Sequence, residues 1–574
     1  MQGRKKTMGA ADHAFLAVSE SHAAVVAALH AAANLPAPAP VQAVDYMSAG
    51  KTLIIGPADI SLDWAERLKD RLEVSVLMTE AQGSEELPPR GEYLVSAAHD
   101  ILLQGWLGHF DVEWQQAAMP EVGQIGPLDF RNTTARRERY DLILDLSREP
   151  LIKLPHPPQG YFSAGRDPLE QFDAVLKLTA YVGEFEKPRY FDYKADQCAH
   201  ARNRIEGCSN CIDICSTGAI SAKGDGVYVE PHLCMGCGAC ASSCPSGAMR
   251  YAYPSVPELG LRLKTMLAAY REAGGTEPVI VFHDRKGEDW LLRRGHRQGL
   301  PKNLIPVGVH DIASIGPDLL LGAICYSAAH VSILQVAEMP EAYAANLHTQ
   351  MGLVHSLLDG FGFAGRHCSL IERSDERRGD LFNLPPKPMA LSPASFNLFS
   401  EKRRTLEFCI DHLQENSAQT IEQIALPAGA PFGTLTINAD RCTLCMACVG
   451  ACPSKALQDN PESPQLRFIE RNCVQCGICT DTCPEKVLAI QPRLLLTPEA
   501  KQPRVLNEAQ PFHCVRCGTP FGTRAMVDGM LKRLSGHSLF ADAAAQRRLQ
   551  MCGDCRVVDM MENRKEMTVE DLPR

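Results

Sequence analysis

Short apolar runs alternate with amphipathic segments along two stretches of the chain. In the first, KTLIIG (51–56) predicts a buried strand, SLDWAERLKDRLE (61–73) an amphipathic helix and VSVLMT (74–79) a second strand. In the second, strand and helix patterns alternate from PVIVFHD (278–284) to HCSLIER (367–373). Strands that alternate with helices of this length are typical of a doubly wound parallel sheet. We therefore predict two α/β domains, one near the N-terminus and one in the centre.

The cysteine content changes this picture. Among its 574 residues the chain has 23 cysteines, most of them in tight CxxC runs. Cysteines this close together do not suit long-loop disulfides, so clusters or metal sites explain them better, and both need a reducing compartment. We expect a cytoplasmic protein of about three to five domains. The formal net charge of −10 argues against a nucleic-acid partner, because phosphate binding needs a basic face.

No segment has the pattern of a secretory signal or a membrane span. The first twenty residues include basic residues but contain no uninterrupted apolar core. The nearest candidate for a span, Leu319 to Val336, is interrupted by Tyr326, His330 and Gln335. Its pattern predicts a buried helix followed by a strand, and we expect no membrane-spanning segment.

One cysteine motif occurs three times, with two two-residue spacers, one three-residue spacer and a proline after the last cysteine. Its members are Cys234, Cys237, Cys240 and Cys244; Cys442, Cys445, Cys448 and Cys452; and Cys473, Cys476, Cys479 and Cys483. The short spacers let consecutive sulfurs wrap one cluster on a tight loop. The longer spacer carries the last cysteine away onto a helical turn. Zinc sites use pairs of CxxC, so this unbroken run indicates an iron–sulfur cluster.

Residues 198–250 and 442–490 resemble bacterial two-cluster ferredoxin domains, with GVYVEPHLC and LRFIERNC as the strands that enter the runs. The resemblance implies a (βαβ)2-like fold for each module, [4Fe–4S] clusters and low-potential, one-electron transfer. In two-cluster ferredoxins, the fourth cysteine of each run ligates the other cluster. The implied ligand sets of the second module are Cys442, Cys445, Cys448 with Cys483, and Cys473, Cys476, Cys479 with Cys452.

The first run of the chain departs from the motif, because nine residues separate its first two cysteines and Ser216 replaces the proline. Nine residues can form an excursion that returns Cys198 to the cluster. His200 is an alternative ligand, although a solvated loop histidine is the favoured interpretation, and loss of Cys198 would favour a [3Fe–4S] cluster. The ligand sets implied for this module are Cys198, Cys208, Cys211 with Cys244, and Cys234, Cys237, Cys240 with Cys215.

The predicted fold class is α/β with α+β modules, in which two (βαβ)2 dicluster domains flank the parallel, doubly wound central domain. The predicted order is a leader and linker (1–45), an N-terminal α/β domain (46–185), a first ferredoxin-like domain (186–255), the central α/β domain (256–385), a helical linker (386–435), a second ferredoxin-like domain (436–495) and a C-terminal CxxC…CxxC domain (505–574).

This layout resembles the large four-cluster ferredoxin-like proteins that accompany molybdenum formate dehydrogenases in proteobacteria. The resemblance implies a redox enzyme as the partner, with a formate dehydrogenase or a similar molybdoenzyme as the candidate. Residues 278–336 are also similar to the delta subunit of methyl-viologen-reducing hydrogenases. The cysteines that would carry a cluster in that subunit are missing here, so its activity is not implied.

The tail contains two further pairs, Cys514 with Cys517 and Cys552 with Cys555. Four thiolates fit a zinc-ribbon-like site, which would be structural because no coordination position stays open for water. The 34-residue spacer is longer than the usual range of about 15–20, so a helical insertion has to bring the pairs together. Zinc is the favoured occupant, and a fifth iron–sulfur cluster or exchangeable dithiols are the alternatives.

These patterns predict an electron carrier with four [4Fe–4S] clusters, and we assign no catalytic residues. One alternative is an oxidoreductase subunit with its own substrate or flavin site, and another is an assembly factor that binds a metalloenzyme through the tail. The GxGxxG match at residues 360–365 follows a helix and precedes a strand, which is the reverse of a dinucleotide site. Cys325, Cys368 and Cys409 occur singly in apolar segments and are predicted to lie in the core.

Overall fold

The computed structural model describes residues 15–16, 22–81, 86–87, 92–118, 128, 131–372, 391–537, 540 and 542–562. Much of the predicted leader and most of the Pro-rich joint before residue 391 lie outside the described residues. Within these ranges, no helix is both long enough and apolar enough to cross a membrane.

A seven-stranded mixed sheet forms the N-terminal domain. The strand order is β6-β5-β4-β3-β2-β7-β8, with parallel neighbours from β4 to β8 and an antiparallel meander of β4, β5 and β6. Strands β1 and β9 pair separately as a two-stranded antiparallel sheet. Helix α1 (Ala23–Ala33) lies in the predicted leader, yet Val25, Ala28, Leu29 and Ala32 are buried in the apolar cluster of the central domain. The elements of the N-terminal domain are β1 (Ala43–Ser48), β2 (Lys51–Pro57), α2 (Ala58–Leu68), β3 (Glu73–Glu80), β4 (Leu94–Trp106), β5 (His109–Ala117), β6 (Thr133–Tyr140), β7 (Leu142–Asp145), β8 (Tyr161–Ser163), α3 (Pro168–Thr179) and β9 (Gly183–Pro188).

The first cysteine block forms short antiparallel pairs around two small helices, and we call residues 186–255 module 1. Strand β10 pairs with β15, β11 with β12 and β13 with β14. Its elements are β10 (Phe191–Tyr193), β11 (Ala201–Arg202), β12 (Ile205–Glu206), α4 (Asn210–Asp213), β13 (Ile220–Lys223), β14 (Gly226–Val229), α5 (Ala239–Ser243) and β15 (Met249–Tyr251).

The central domain has a four-stranded, fully parallel sheet in the order β17-β16-β18-β19. The chain crosses from one side of β16 to the other between β17 and β18, which creates a crevice at the carboxyl ends of the strands. The elements are α6 (Val256–Glu272), β16 (Val279–His283), α7 (Arg285–Gln298), β17 (Leu304–Gly308), α8 (Pro317–Cys325), β18 (His330–Gln335), α9 (Glu341–Gly360), β19 (Cys368–Glu372) and α10 (Lys402–Asn416).

Helix α10 lies in the segment that the sequence predicted as a linker, yet it belongs to the core of the central domain. Leu406, Cys409, Ile410 and Leu413 are buried in the same apolar cluster as the sheet. Their spacing of three, four and seven residues puts them on one face of the helix, which packs against α8. The predicted core cysteines 325, 368 and 409 are all buried.

We expect the central domain to lose stability in acid through His283, the last residue of β16. Burial lowers the pKa of His283 to about 4, whereas an unfolded histidine titrates near pH 6.5. Between these values the unfolded chain binds a proton that the folded chain does not, so stability falls by about 1 kcal/mol per pH unit below 6.5.

Hydrogen exchange of β16 at pH 7.5 and pH 5.5 checks this expectation. His283→Gln should destabilise β16 less at pH 5.5 than at pH 7.5. The reason is that only the wild type loses stability at pH 5.5 through protonation of His283 in the unfolded chain. His348→Gln, at an exposed position of α9, is the control. An equal effect of His283→Gln at both pH values would contradict the assignment.

The second cysteine block, which we call module 2 (residues 436–495), is followed by a small C-terminal unit. Strands β20 and β21 pair with β24, and β23 pairs with both β22 and β25. The elements are β20 (Gln423–Ala425), β21 (Gly433–Ile437), α11 (Ala447–Ala451), β22 (Leu457–Asp459), β23 (Gln465–Phe468), α12 (Ile478–Thr482), β24 (Leu488–Leu495), β25 (Arg504–Glu508), β26 (Pro511–His513), β27 (Pro520–Thr523), α13 (Arg524–Leu534), α14 (Ala543–Leu549) and α15 (Gly553–Glu562).

Candidate metal centres

Four groups of four cysteines lie in the two modules. Three of the groups line cavities, one in module 1 and two in module 2. In the remaining group, Cys198 and Cys244 lie close enough to Cys208 and Cys211 to interact with both thiols electrostatically. Each group takes its fourth cysteine from the neighbouring run. We name them site 1 (Cys215, Cys234, Cys237, Cys240), site 2 (Cys198, Cys208, Cys211, Cys244), site 3 (Cys452, Cys473, Cys476, Cys479) and site 4 (Cys442, Cys445, Cys448, Cys483).

Left-handed backbone on both sides of the middle cysteine curls each of the three regular loops. Backbone N–H groups two residues farther along donate to the sulfurs, for example from Gly236 to Cys234 and from Ile478 to Cys476. Such concave loops of N–H groups favour a negatively charged ligand. The residues with positive φ are Gly236 and Gly238, Leu444 and Met446, and Gln475 and Gly477.

The nine-residue spacer after Cys198 folds as the hairpin of β11 and β12. The backbone N–H of Cys208 donates to the carbonyl of Ala199 at 2.9 Å, which returns the chain beside Cys198. His200 lies in this excursion but is only 6% exposed, and its Nδ1 is 3.0 Å from the carbonyl of Cys208. The interpretation of His200 as a solvated loop residue is therefore wrong, because the hairpin folds over it.

The thiols of these groups are chemically suited to a cationic cluster. Burial raises the pKa of Cys237 and of Cys476 to about 11, and neighbouring thiols add to the increase. Four crowded thiolates repel one another unless a positive centre offsets their charge, so metal binding and deprotonation are coupled. Three cysteines of one run and one that follows the short helix of the other run fit the ligand set of a [4Fe–4S] cluster, which when bound accepts and donates single electrons.

A chain of hydrogen bonds connects site 1 to both α/β domains. The Tyr343 hydroxyl of α9 donates to Cys237 Sγ at 2.9 Å. Its oxygen lies 2.5 Å from Ser216 Oγ, which in turn lies 2.8 Å from His156 Nδ1. Because Tyr343 donates to sulfur, it accepts from Ser216, and Ser216 accepts from His156. The central domain therefore contributes directly to the surroundings of a candidate cluster ligand.

Tyr343→Phe is expected to make the reduction potential of site 1 more negative. A hydrogen bond to a cluster sulfur stabilises the more negative, reduced form, so its loss favours the oxidised form. One neutral hydrogen bond is worth about 1 kcal/mol, which corresponds to about 40 mV for a one-electron couple. A redox titration followed by electron paramagnetic resonance (EPR) measures the shift.

Tyr251→Phe is the matched control for this substitution. The Tyr251 hydroxyl donates to the carbonyl of Gly236 at 2.6 Å, in the same loop but not to a sulfur. A shift of equal size in both variants would mean that Tyr343 acts through loop structure rather than through its bond to Cys237.

The two-stranded sheet of β1 and β9 also holds the loop that carries Cys234. Lys187 Nζ, on β9, donates to the carbonyls of His232 and Cys234, each at 2.8 Å. The Tyr46 hydroxyl, on β1, donates to the carbonyl of His232 at 2.6 Å. Burial lowers the pKa of Lys187 to about 8. Neither Lys187 nor Tyr343 has a sequence signal that would reveal its place, because each lies far along the chain from the cysteines that it serves.

The four tail cysteines come together in the C-terminal unit, where α13 lies between the two pairs. Their sulfur atoms all lie within 4.8 Å of one another, and Cys517 Sγ is 3.7 Å from Cys552 Sγ. A tetrahedral zinc ion at about 2.3 Å from each sulfur places the sulfurs about 3.8 Å apart. A cubane holds its cysteine sulfurs farther apart, because each binds a different iron. The spacing therefore favours a single ion.

Electrostatics at the tail differs from that in the modules. Burial opposes ionisation of Cys514, but N–H donors, including those of Cys517 and Cys552, outweigh it and lower the pKa of Cys514 to about 6. A thiol that ionises this readily is ready to bind a metal cation at neutral pH.

Comparison with known proteins adds to this geometry. The 4Fe-4S dicluster domain family matches residues 430–488, and a second family of the same description matches residues 205–248. "Ferredoxin 7Fe" of Hydrogenibacillus schlegelii is 36% identical over 50 residues, which is 9% of this chain and 63% of that protein. "Ferredoxin" of Alicyclobacillus acidocaldarius subsp. acidocaldarius is 38% identical over 53 residues, which is 9% of this chain and 67% of that protein.

The chain belongs to the ferredoxin family. Its two matches to 4Fe-4S dicluster domains make it an iron–sulfur protein with a repeated domain. The chain spans a little under two thirds of the length of the first relative. Each of the two matches covers only 9% of the present chain. The family match in module 1 begins at residue 205, so Cys198 precedes it.

Proposed function

We propose that this ferredoxin carries four [4Fe–4S] clusters and passes single electrons between a redox enzyme and an acceptor, and that its tail binds one structural zinc ion. The observation that carries the proposal is the arrangement of sixteen cysteines in four groups, each completed by a cysteine of the neighbouring run. Cross-over ligation of this kind is the arrangement in two-cluster ferredoxins.

The partner in this proposal is a formate dehydrogenase or a similar molybdoenzyme, and the compartment is the cytoplasm. The layout of the chain, with a dicluster module on each side of a central α/β domain, supports the choice of partner. The 23 unpaired cysteines support a reducing compartment, because disulfides persist where conditions are oxidising.

The alternative of a flavin or substrate site in the central domain has less support. Ligands of doubly wound sheets bind in the crevice at the carboxyl ends of the strands. Here module 1 lies against the segment that follows β17: His310 Nε2 is 3.4 Å from the carbonyl of Met235, and Ser242 Oγ donates to the carbonyl of Ala313 at 2.9 Å. Module 1 therefore packs at the carboxyl end of the central sheet, where a flavin or substrate would bind.

Anaerobic purification followed by iron, sulfide and zinc analysis tests the proposal. We expect about sixteen iron atoms, about sixteen sulfides and about one zinc per chain. EPR of the dithionite-reduced protein should show interacting cubane signals. Fewer than about eight iron atoms after anaerobic reconstitution would contradict the four-cluster proposal and favour an assembly factor.

Co-purification from the source cells tests the choice of partner separately. Capture of an active, cofactor-loaded molybdoenzyme supports an electron-transfer partner. Capture of only its immature form favours the assembly factor.

A further inference from the structure

The two modules contact each other between the loop that carries Cys208 and the helix that follows Cys476. Gly207 faces Ile478 so closely that a Cβ on Gly207 would overlap the isoleucine side chain. Helix α12 also contacts strand β12. Burial raises the pKa of Cys476, and the Cys208 thiol contributes to the increase. Sites 2 and 3 therefore face each other across the boundary between the modules.

The paired sites within each module are neighbours as well. Cys211 of site 2 and Cys240 of site 1 pack against the same apolar cluster of module 1. Cys448 of site 4 and Cys479 of site 3 share the apolar cluster of module 2. The four sites thus follow one another in the order 1, 2, 3 and 4, with the contact between modules in the middle.

Helix α10 holds both modules through adjacent residues of its first turn. Lys402 Nζ donates to the carbonyls of Ser242 at 2.9 Å and Cys244 at 3.1 Å. Arg403 Nη2 donates to the carbonyl of Cys473 at 3.3 Å. Cys244 belongs to site 2 and Cys473 to site 3. Lys402 and Arg403, on one helix, therefore hold the chain at Cys244 of site 2 and at Cys473 of site 3, the two sites that face each other across the module boundary.

We propose that Lys402 and Arg403 are positioning residues for a relay between sites 2 and 3, which joins the modules into one electron path instead of two separate carriers. The inference rests on the proposed function, because a relay exists only if both inner sites hold clusters. Electron transfer slows steeply with distance, so the fit between Gly207 and Ile478 determines whether electrons that enter one module reach the other. The two cations also lie where they favour the reduced, more negative state of the inner sites.

EPR of the fully reduced wild type at two microwave frequencies tests the relay. We expect magnetic interaction across the module boundary, seen as splittings that two independent dicluster modules cannot reproduce. A wild-type spectrum that equals the sum of two separate dicluster spectra would overturn the proposal. Iron analysis of the same sample shows separately whether the proposed four clusters are present.

Gly207→Ala places a methyl group into the boundary and is expected to weaken this interaction while the iron content stays at the wild-type value. Gly450→Ala is the matched control, since a Cβ there meets no atom within 4 Å. An unchanged interaction in Gly207→Ala with full iron content would overturn the proposal.

Lys402→Met provides a second variant in case Gly207→Ala loses iron. It should reduce the splitting and lower the potential of site 2, and Lys402→Arg should restore part of both. Lys264→Met is its control, because Lys264 Nζ also donates to carbonyls, those of Ser395 and Phe396, but outside the modules. Equal effects of Lys402→Met and Lys264→Met would contradict a positioning role.

Discussion

Replacing Cys452 with alanine is expected to empty site 3. Site 4 should stay occupied, although its ligands Cys442, Cys445 and Cys448 belong to the same run as Cys452. The reason is the cross-over: Cys452 lines the cavity of Cys473, Cys476 and Cys479 and not that of Cys442 and Cys445. With one ligand missing, site 3 should lose up to about four iron atoms per chain. Iron and sulfide analysis after anaerobic purification measures the loss.

Double variants make this prediction specific. Cys452→Ala combined with Cys476→Ala removes two ligands of site 3 and should lose no more iron than either single variant. Cys452→Ala combined with Cys445→Ala removes ligands from two sites of the same run and should lose about eight iron atoms. The opposite result would show that each run holds its own cluster. In that case the iron losses would add in the Cys452→Ala, Cys476→Ala double variant and would not add in the Cys452→Ala, Cys445→Ala double variant.

Cys555→Ser is expected to lose the bound zinc and to leave the iron content unchanged. The four tail sulfurs lie within 4.8 Å of one another, so one ion contacts them all, and removal of one thiolate breaks its coordination. Structural zinc contributes directly to folding, at about 10–16 kcal/mol in zinc-finger peptides near pH 7. The C-terminal unit should therefore unfold locally, which hydrogen exchange of α13 and α15 would show.

Cys445→Ser is the reciprocal control, because it should lower iron without affecting zinc. Loss of about four iron atoms from Cys555→Ser would show that the tail holds a fifth cluster. Full zinc retention in that variant would show that the tail cysteines do not hold the ion.

Much of the candidate site could be predicted because its chemistry is local in sequence. The CxxCxxC loops are short enough that spacing alone puts three sulfurs around one centre, and the left-handed residues at Leu444 and Met446 belong to the same loop. The ferredoxin resemblance then supplied the fourth cysteine of each group. The departure at Cys198 could also be interpreted, since nine residues are enough for the hairpin of β11 and β12.

The fold could be predicted where burial is continuous and less well where it alternates. The parallel strands β16 and β18 are buried along nearly their whole length, and their short apolar runs are distinct in the sequence. The meander strand β5 alternates between partly exposed and buried residues and contains Asp111 and Glu113, so it was not predicted. The charged residues of helix α10 obscure the apolar face that packs against α8, so the sequence pattern predicts only a helical linker there.

The sequence by itself determined which residues are cysteines at cluster spacing, and therefore the chemistry of the chain. Only the tertiary structure decided what surrounds them: Tyr343 beside Cys237, Lys402 and Arg403 beside the inner sites, and the contact of Gly207 with Ile478. The physical reason is that three ligands of each site lie on one short stretch of the chain, and the fourth belongs to a neighbouring run with a recognisable motif of its own. The tuning of each site and electron transfer between the modules depend instead on contacts between segments that lie far apart in the sequence, and these contacts leave no periodic or motif signal in the chain.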